Sequence, residues 1–355
     1  MGDQYLSEKE FLYLWRLVFP YVKVRKYKSS CGHCAVCTLL AEMRRKFKDK
    51  VGRREVTNLF ALHRLASMGE RRSYYDRRLL GQLYPHNFWS SIADGMQQNH
   101  CMLPWYGNQK FPGFHAKQHL QGVLVHGDNV TVYRTFTNVK GGANLAIHTF
   151  LLSLEAYANA HDGNLAKVIQ HQIDGGSENA NKEFIAICIL LVASGLVDKV
   201  ILTRLLVGHT HEDIDALFAF IWKELRDTFV HTPSEFVALI KHALRKKGNV
   251  VVKDLFAIPD YCAMLEGRID PQFGRFAKQE WTQHQIIFER SSDVVAHPTY
   301  AVKMTCRPYA EDEVTEIVKV TREELAQDPV KYGTVTGLIP QICKVETRPF
   351  PNAPR

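Results

Sequence analysis

The stretch "GHTHEDID" at residues 208–215 puts His209, His211, Glu212, Asp213 and Asp215 within seven positions. Imidazole and carboxylate side chains at such density are metal-ligand chemistry. A second cluster, "CGHCAVC" at 31–37, repeats C-x2-C spacing through Cys31, Cys34 and Cys37, with His33 inside it. Two thiolates so spaced present themselves to one Zn²⁺, which takes four ligands. No second C-x2-C exists, so His63 is the candidate for a further ligand. A third group is cationic: Arg44, Arg45, Lys46, Lys48, Arg53 and Arg54, then Arg71, Arg72, Arg77 and Arg78 around Tyr74 and Tyr75. Side chains of this kind hold phosphates without reading bases. Each group also has a plainer explanation. Acids in a first helical turn are favoured by the helix dipole. Cysteines can sit reduced in a turn, and a basic run can be a solvated helix face.

The elements that position these groups follow from periodicity. Residues 1–88 are expected to be helical, in "EKEFLYLWRLVFPYV", "CAVCTLLAEMRRKFKDK" and "REVTNLFALHRLASMGERRSYYDRRLLGQLY". The pattern then changes. "FWSSIADGM" at 88–96 is strand-like, and "LQGVLVHG" and "VTVYRTFTN" form a hairpin. "ANLAIHTFLLSLEAYANA" is a helix, "LAKVIQHQID" a strand and "ENANKEFIAICILLVASG" a buried helix stopped at Gly195. "DKVILTRLLVG" is a strand, and a helix begins at the histidine–carboxylate cluster. On that helix Ile214, Leu217, Phe218, Ile221, Trp222 and Leu225 share one apolar face, with Asp215 at its edge. Beyond about residue 250, "HQIIFERS", "YAVKMTCRPY" and "EVTEIVKV" read as strands.

The order β-β-β-α-β-α-β-α predicts a mixed sheet flanked by helices. Asp94 ends the first strand, Asp174 ends the fourth, and Asp215 opens the last helix. Strand ends of one sheet bring such carboxylates together at its carboxyl edge. Hard oxygen ligands there suit a pair of Mg²⁺ or Mn²⁺ ions. A rival assignment takes His209, His211 and Asp213 as a metallohydrolase site, an H-x-H-x-D pattern like that of metallo-β-lactamases. The histidine that should follow the aspartate is Ile214 here. "GHTH" also matches the last motif of calcineurin-like phosphoesterases, but their upstream motifs are missing.

This arrangement is similar to the RNase H-like fold of DDE transposases and retroviral integrases. The acids lie 80 and 41 residues apart, in keeping with that superfamily. More closely, the chain resembles an uncharacterised, transposon-derived eukaryotic family. Its members carry a D-G-[AM] strand, a D-N…E-N-K-N segment and a G-H-[TS]-x4-D signature after a basic region with a C-x2-C. "GHTHEDID" matches specifically, "IADGMQQNHCMLP" well and "DGGSENANK" in part, and the likeness covers about residues 25–230. The resemblance implies DNA strand cleavage and transfer. Asp94 and Asp174 would hold metal jointly and Asp215 a second ion, with Glu212 the other choice for third acid. His209 and His211 would orient a carboxylate or touch phosphate, and Arg44, Arg45, Lys46, Arg53, Arg54, Arg71 and Arg72 would hold DNA. Gly175 stands where the family has asparagine, and the segment to Glu178 and Asn179 is one residue short. Those departures keep a second class open: a non-catalytic nucleic-acid-binding or scaffold protein that retains the fold.

Totals agree with this outline. Of 355 residues, 46% are hydrophobic and 23% charged, as in a globular protein of two or three domains. The expected division is a basic helical region at 1–87, an RNase H-like domain at 88–247 and a strand-rich region at 248–355. The net charge of +8 is uneven: residues 1–90 hold 18 Lys and Arg against 8 Asp and Glu, which leaves −2 for the rest. A basic third on a neutral body points to an anionic partner, with DNA the expected one and a second copy of the chain admitted. The longest apolar run, Phe184–Val197, is too short to span a bilayer, and the eight cysteines suit a reducing compartment. The expected location is nuclear or cytoplasmic.

Overall fold

The structure is a computed structural model that describes residues 8–18, 34–107, 113–139, 141–174, 179, 181–204, 213–266, 284–290, 302–307 and 316–320. The chain begins with helices α1 (Glu8–Val18), α2 (Ala35–Lys46) and α3 (Lys50–Leu83). Strands β1 (Phe88–Gly95), β2 (Trp105–Tyr106), β3 (Gln118–Val125) and β4 (Asn129–Phe136) follow. Then come α4 (Ala143–Ala160), β5 (Val168–Ile173), α5 (Lys182–Ala193), β6 (Lys199–Arg204), α6 (Asp213–Arg226) and β7 (Phe229–Val230). The remainder is α7 (Pro233–Ala243), β8 (Asn249–Leu255), α8 (Tyr261–Leu265), β9 (Gln285–Arg290), β10 (Val302–Arg307) and β11 (Glu316–Val320).

Nine strands form one mixed sheet in the order β11-β10-β9-β6-β5-β1-β3-β4-β8. At its centre β1, β5 and β6 run parallel, while β3 lies antiparallel to both β1 and β4. Strands from the C-terminal region complete both sides. β8 pairs parallel with β4, and β9 pairs antiparallel with β6. The β4–β8 pair is tied by a bidentate ion pair. Arg134 donates from Nε and Nη2 to the two carboxylate oxygens of Asp254, at 2.8 and 2.6 Å, across directly paired positions.

Alternation along β1 divides the molecule into layers. Trp89 and Ala93 face a core with α4, α5 and α8, while Ile92 faces one with Tyr74 of α3 and with α6 and α7. Helix α5 is apolar on every side, and its residues 184–193 are all buried. That composition fits its place between the sheet, α4, α8, β9 and β10. Asn181 caps its start by accepting from the Phe184 N–H at 2.8 Å. Gly195 follows its end with φ +74°, the left-handed conformation glycine adopts freely. Among the described residues no helix is long and apolar enough to cross a membrane.

Candidate functional site

The thiol–imidazole group is built by two helices. Cys34 caps the start of α2 and its Sγ accepts from the Cys37 N–H at 3.5 Å, which turns both sulfurs to one side. α3 runs back along α2 and brings in His63, whose Nε2 lies 3.2 Å from the Cys34 Sγ. One ligand atom from each of Cys34, Cys37 and His63 lies within 4.8 Å of the others. Sulfur and nitrogen donors at that spacing fit a zinc ion, with a fourth position left for another ligand. Cys31, the further thiol expected from the sequence, lies outside the described residues, as do Glu212, His209 and His211.

Asp94 and Asp174 stand at the carboxyl ends of β1 and β5, and Asp215 in the first turn of α6. The three carboxylates, all among the described residues, are not gathered closely enough to form a ligand group. β1 and β5 are parallel neighbours in a register that pairs Ile92 with Gln172. Two residues further along each strand are Asp94 and Asp174. By alternation Asp94 shares the face of Ile92, and Asp174 that of Gln172. Gln172 accepts a hydrogen bond from Arg77 of α3, so this face is the one covered by α3 and α6. Asp94 lies opposite Gly122 of β3. A Cβ added to Gly122 would lie 3.0 Å from the Ile214 Cδ1 and the Phe218 Cζ, so glycine here lets the first turn of α6 come down onto the strand. Asp215 follows Ile214 directly. Asp94 and Asp174 also have local partners. The Asp94 Oδ1 accepts from the Gly95 N–H at 2.7 Å, and the Asp174 Oδ1 from the Asn179 amide at 2.5 Å. Burial pulls the pKa of Arg204 down while the nearby Asp174 opposes that shift, so a cation stands close to this carboxylate. Among the described residues, the group of three ligands gathered tightly enough for a metal is Cys34, Cys37 and His63.

A third constellation was missed by sequence reasoning. Arg78 Nη1 donates to both oxygens of Asp213, at 2.8 and 3.1 Å, and the Tyr74 hydroxyl donates to Oδ2 at 3.2 Å. Tyr74 also meets the His126 Nε2 at 3.0 Å, and the His126 Nδ1 lies 2.9 Å from the Ser90 hydroxyl. This polar cluster fastens α3 to β1, to the β3–β4 turn and to the start of α6. It corrects the expectation that Arg77 and Arg78 reach for phosphate. Arg77 is buried, with burial pulling its pKa down to about 10, and Arg78 is committed to Asp213. Asp213 is thereby occupied, which weakens the metallohydrolase assignment. On α3 the buried residues Ser67, Glu70, Tyr74, Arg77 and Gly81 recur at helical spacing, but their mixed polar types give that stripe no apolar signature in the sequence.

The other cations remain outward. Arg44, Arg45, Lys46, Arg53, Arg54, Arg71 and Arg72 are all exposed, and Lys46 pairs with Glu42 at 2.9 Å. Arg44, Arg45 and Lys46 end α2, and Arg53 and Arg54 stand in the first turns of α3, so five of the seven crowd the tip of one hairpin.

Fold and site together define an α/β protein with a three-layer core and an N-terminal cysteine–histidine group. The chain belongs to the family described as a domain of unknown function (DUF7869), whose model matches residues 111–300. That stretch includes Asp174 and Asp215 and begins beyond Asp94 and the cysteine–histidine group. No curated protein and no solved structure matches the chain.

Proposed function

We propose that this chain is a transposase- or integrase-like polynucleotidyl transferase of the DDE type, with an RNase H-like core. The observation that carries this reading is the register of β1 and β5. That register brings the two strand ends that carry Asp94 and Asp174 next to each other, and α6, whose first turn holds Asp215, packs on β3 at Gly122, opposite Asp94. The mixed sheet with neighbouring strands β4-β3-β1-β5-β6, β3 reversed, and helices on both faces supports the reading. Asp94 and Asp174 would hold one Mg²⁺ or Mn²⁺ jointly, and Asp215 would complete the site for the second. Two such ions, when bound, activate the attacking oxygen and stabilise the leaving one. The chain's own part is to fix the carboxylates and hold the duplex. Water attacks a phosphodiester and frees a 3′-hydroxyl, which then attacks a second phosphodiester.

The test compares wild type with Asp174→Ala on supercoiled DNA in Mn²⁺. Wild type is expected to nick, and the variant to lose on the order of a hundredfold or more. Equal nicking by both would end the proposal. Asp215→Ala beside Glu212→Ala identifies the third acid by which change abolishes nicking. The second reading, a non-catalytic DNA-binding scaffold, draws on the local hydrogen bonds that already engage Asp94 and Asp174. It predicts duplex binding by both proteins and nicking by neither.

A further inference from the structure

α3 is one continuous helix of 34 residues, about 51 Å long at 1.5 Å per residue. Its two ends do different things. Near the C-terminal end, Tyr74, Arg77 and Arg78 bind His126, Gln172 and Asp213, and Gly81 packs on β1, where an added Cβ would lie 2.7 Å from that of Ser90. This end is therefore fixed to the sheet and, through Asp213, to the start of α6, the helix that also carries Asp215. At the N-terminal end α3 packs along α2, around Leu40 and Val56. Residues 44–54, at the turn of that hairpin, hold seven Lys and Arg and a single acid. The acid, Asp49, is used as the cap of α3, accepting from the Gly52 N–H at 2.6 Å. At about 100° per residue, Arg53, Arg64 and Arg71 fall along one side of α3 and lead from the turn toward the fixed end.

The length between these ends is set by the helix. From Arg53 to Arg78 it is about 37 Å. One turn of duplex DNA is roughly 34–36 Å. We infer that the hairpin is a phosphate-binding head, held on α3 as a rigid spacer, that grips the same duplex about one helical turn from the acids. The inference rests on the proposed function for what occupies the far contact. The head's turn holds exposed Lys and Arg on flexible stems, which suit phosphate contacts, so the contribution inferred for it is affinity and spacing.

The experiment measures binding of the full, zinc-loaded chain to random-sequence duplexes of increasing length, in Ca²⁺. Carboxylates bind that hard cation, so both contacts are available. Wild type is expected to gain on the order of tenfold or more in affinity once the duplex passes roughly 15 base pairs, because the second contact becomes intramolecular. The quadruple variant Arg44→Ala, Arg45→Ala, Arg53→Ala, Arg54→Ala should lose that step. Its plot of log affinity against log salt should flatten by about 3 to 4, near 0.9 per phosphate released. All four side chains are exposed, and unchanged circular dichroism and zinc content show that the variant is folded. A quadruple variant that keeps both step and slope overturns the inference, whatever the nicking assay shows. Equal weakening on every length, the shortest included, overturns the spacing. Asp174→Ala should remove the step and keep the affinity for short duplexes. If Asp174→Ala keeps the step, the far contact is not at the acids, and the proposed active site fails while the head stands.

Discussion

At the scale of residues, the most informative group is Asp213. In sequence it is one of three carboxylates in four positions, and nothing local separates it from Glu212 or Asp215. Its partner Arg78 lies 135 residues away, so no window on the chain could connect the two. The same distance hid the role of Tyr74 and Arg77, which look like members of a basic surface run until their partners are known. The pair is half-buried, with side chains 34% and 27% exposed, so water screens part of its attraction. A double-mutant cycle of Arg78→Ala and Asp213→Ala, read by urea unfolding, is expected to give a coupling of about 1 kcal/mol. A coupling near zero would mean that Tyr74 and His126 hold α6 without Arg78. The positions of Asp94 and Asp174 at strand ends were readable, because the short β-like runs before them end where β1 and β5 do.

At the scale of elements, the strands and helices around the acids were legible because their periodicity is strong. β1, β3, β4, β5, β6, α4, α5 and α6 all fall where the apolar patterns place them. Helix α7 escaped notice although its start carries a capping box, with Thr232 and Glu235 bonded reciprocally and Pro233 in the first turn. The β8 strand, Asn249–Leu255, has apolar residues at three successive positions and so shows no alternation to mark it. Two expectations belong here. The α2–α3 hairpin buries little besides Leu40, Val56 and Cys34, too little to hold it closed alone. Chelation, or Cys34→Ser, is therefore expected to release stoichiometric zinc and lower the helical circular dichroism signal. Retention of the full signal without metal would show that packing suffices. At the other end of α3, Gly81→Ala pushes a methyl against the Cβ of Ser90, on a strand that cannot retreat. The expected loss is about 1–3 kcal/mol, measured as a lower urea midpoint.

For the whole molecule, the mixed sheet between helical layers was readable from the order of elements. The places taken by β8 to β11 were not, because pairing between distant strands leaves no local trace. Three histidines are built into this interior. Burial pushes His126 and His148 down to about 4 and His171 to about 3. They are neutral in the folded protein, whereas the unfolded chain takes up protons near the ordinary value of 6.5. Stability from this source is whole above about pH 6.5 and drains away as the pH falls toward 4, since the unfolded state binds protons first. The urea midpoint should fall between pH 6.5 and 5.5, before most ordinary carboxylates titrate, and His148→Gln should lessen the slope by about one proton. A flat midpoint across that interval would contradict the neutral interior.

The antiparallel seam between β6 and β9 has a consequence for synthesis. A ribosome that has released Arg204 must add some eighty more residues before Gln285–Arg290 can close that flank. At roughly 5–20 residues per second, the nascent chain carries the raw border of β6 for on the order of ten seconds. That interval is when an unpaired strand border is open to pairing with another chain.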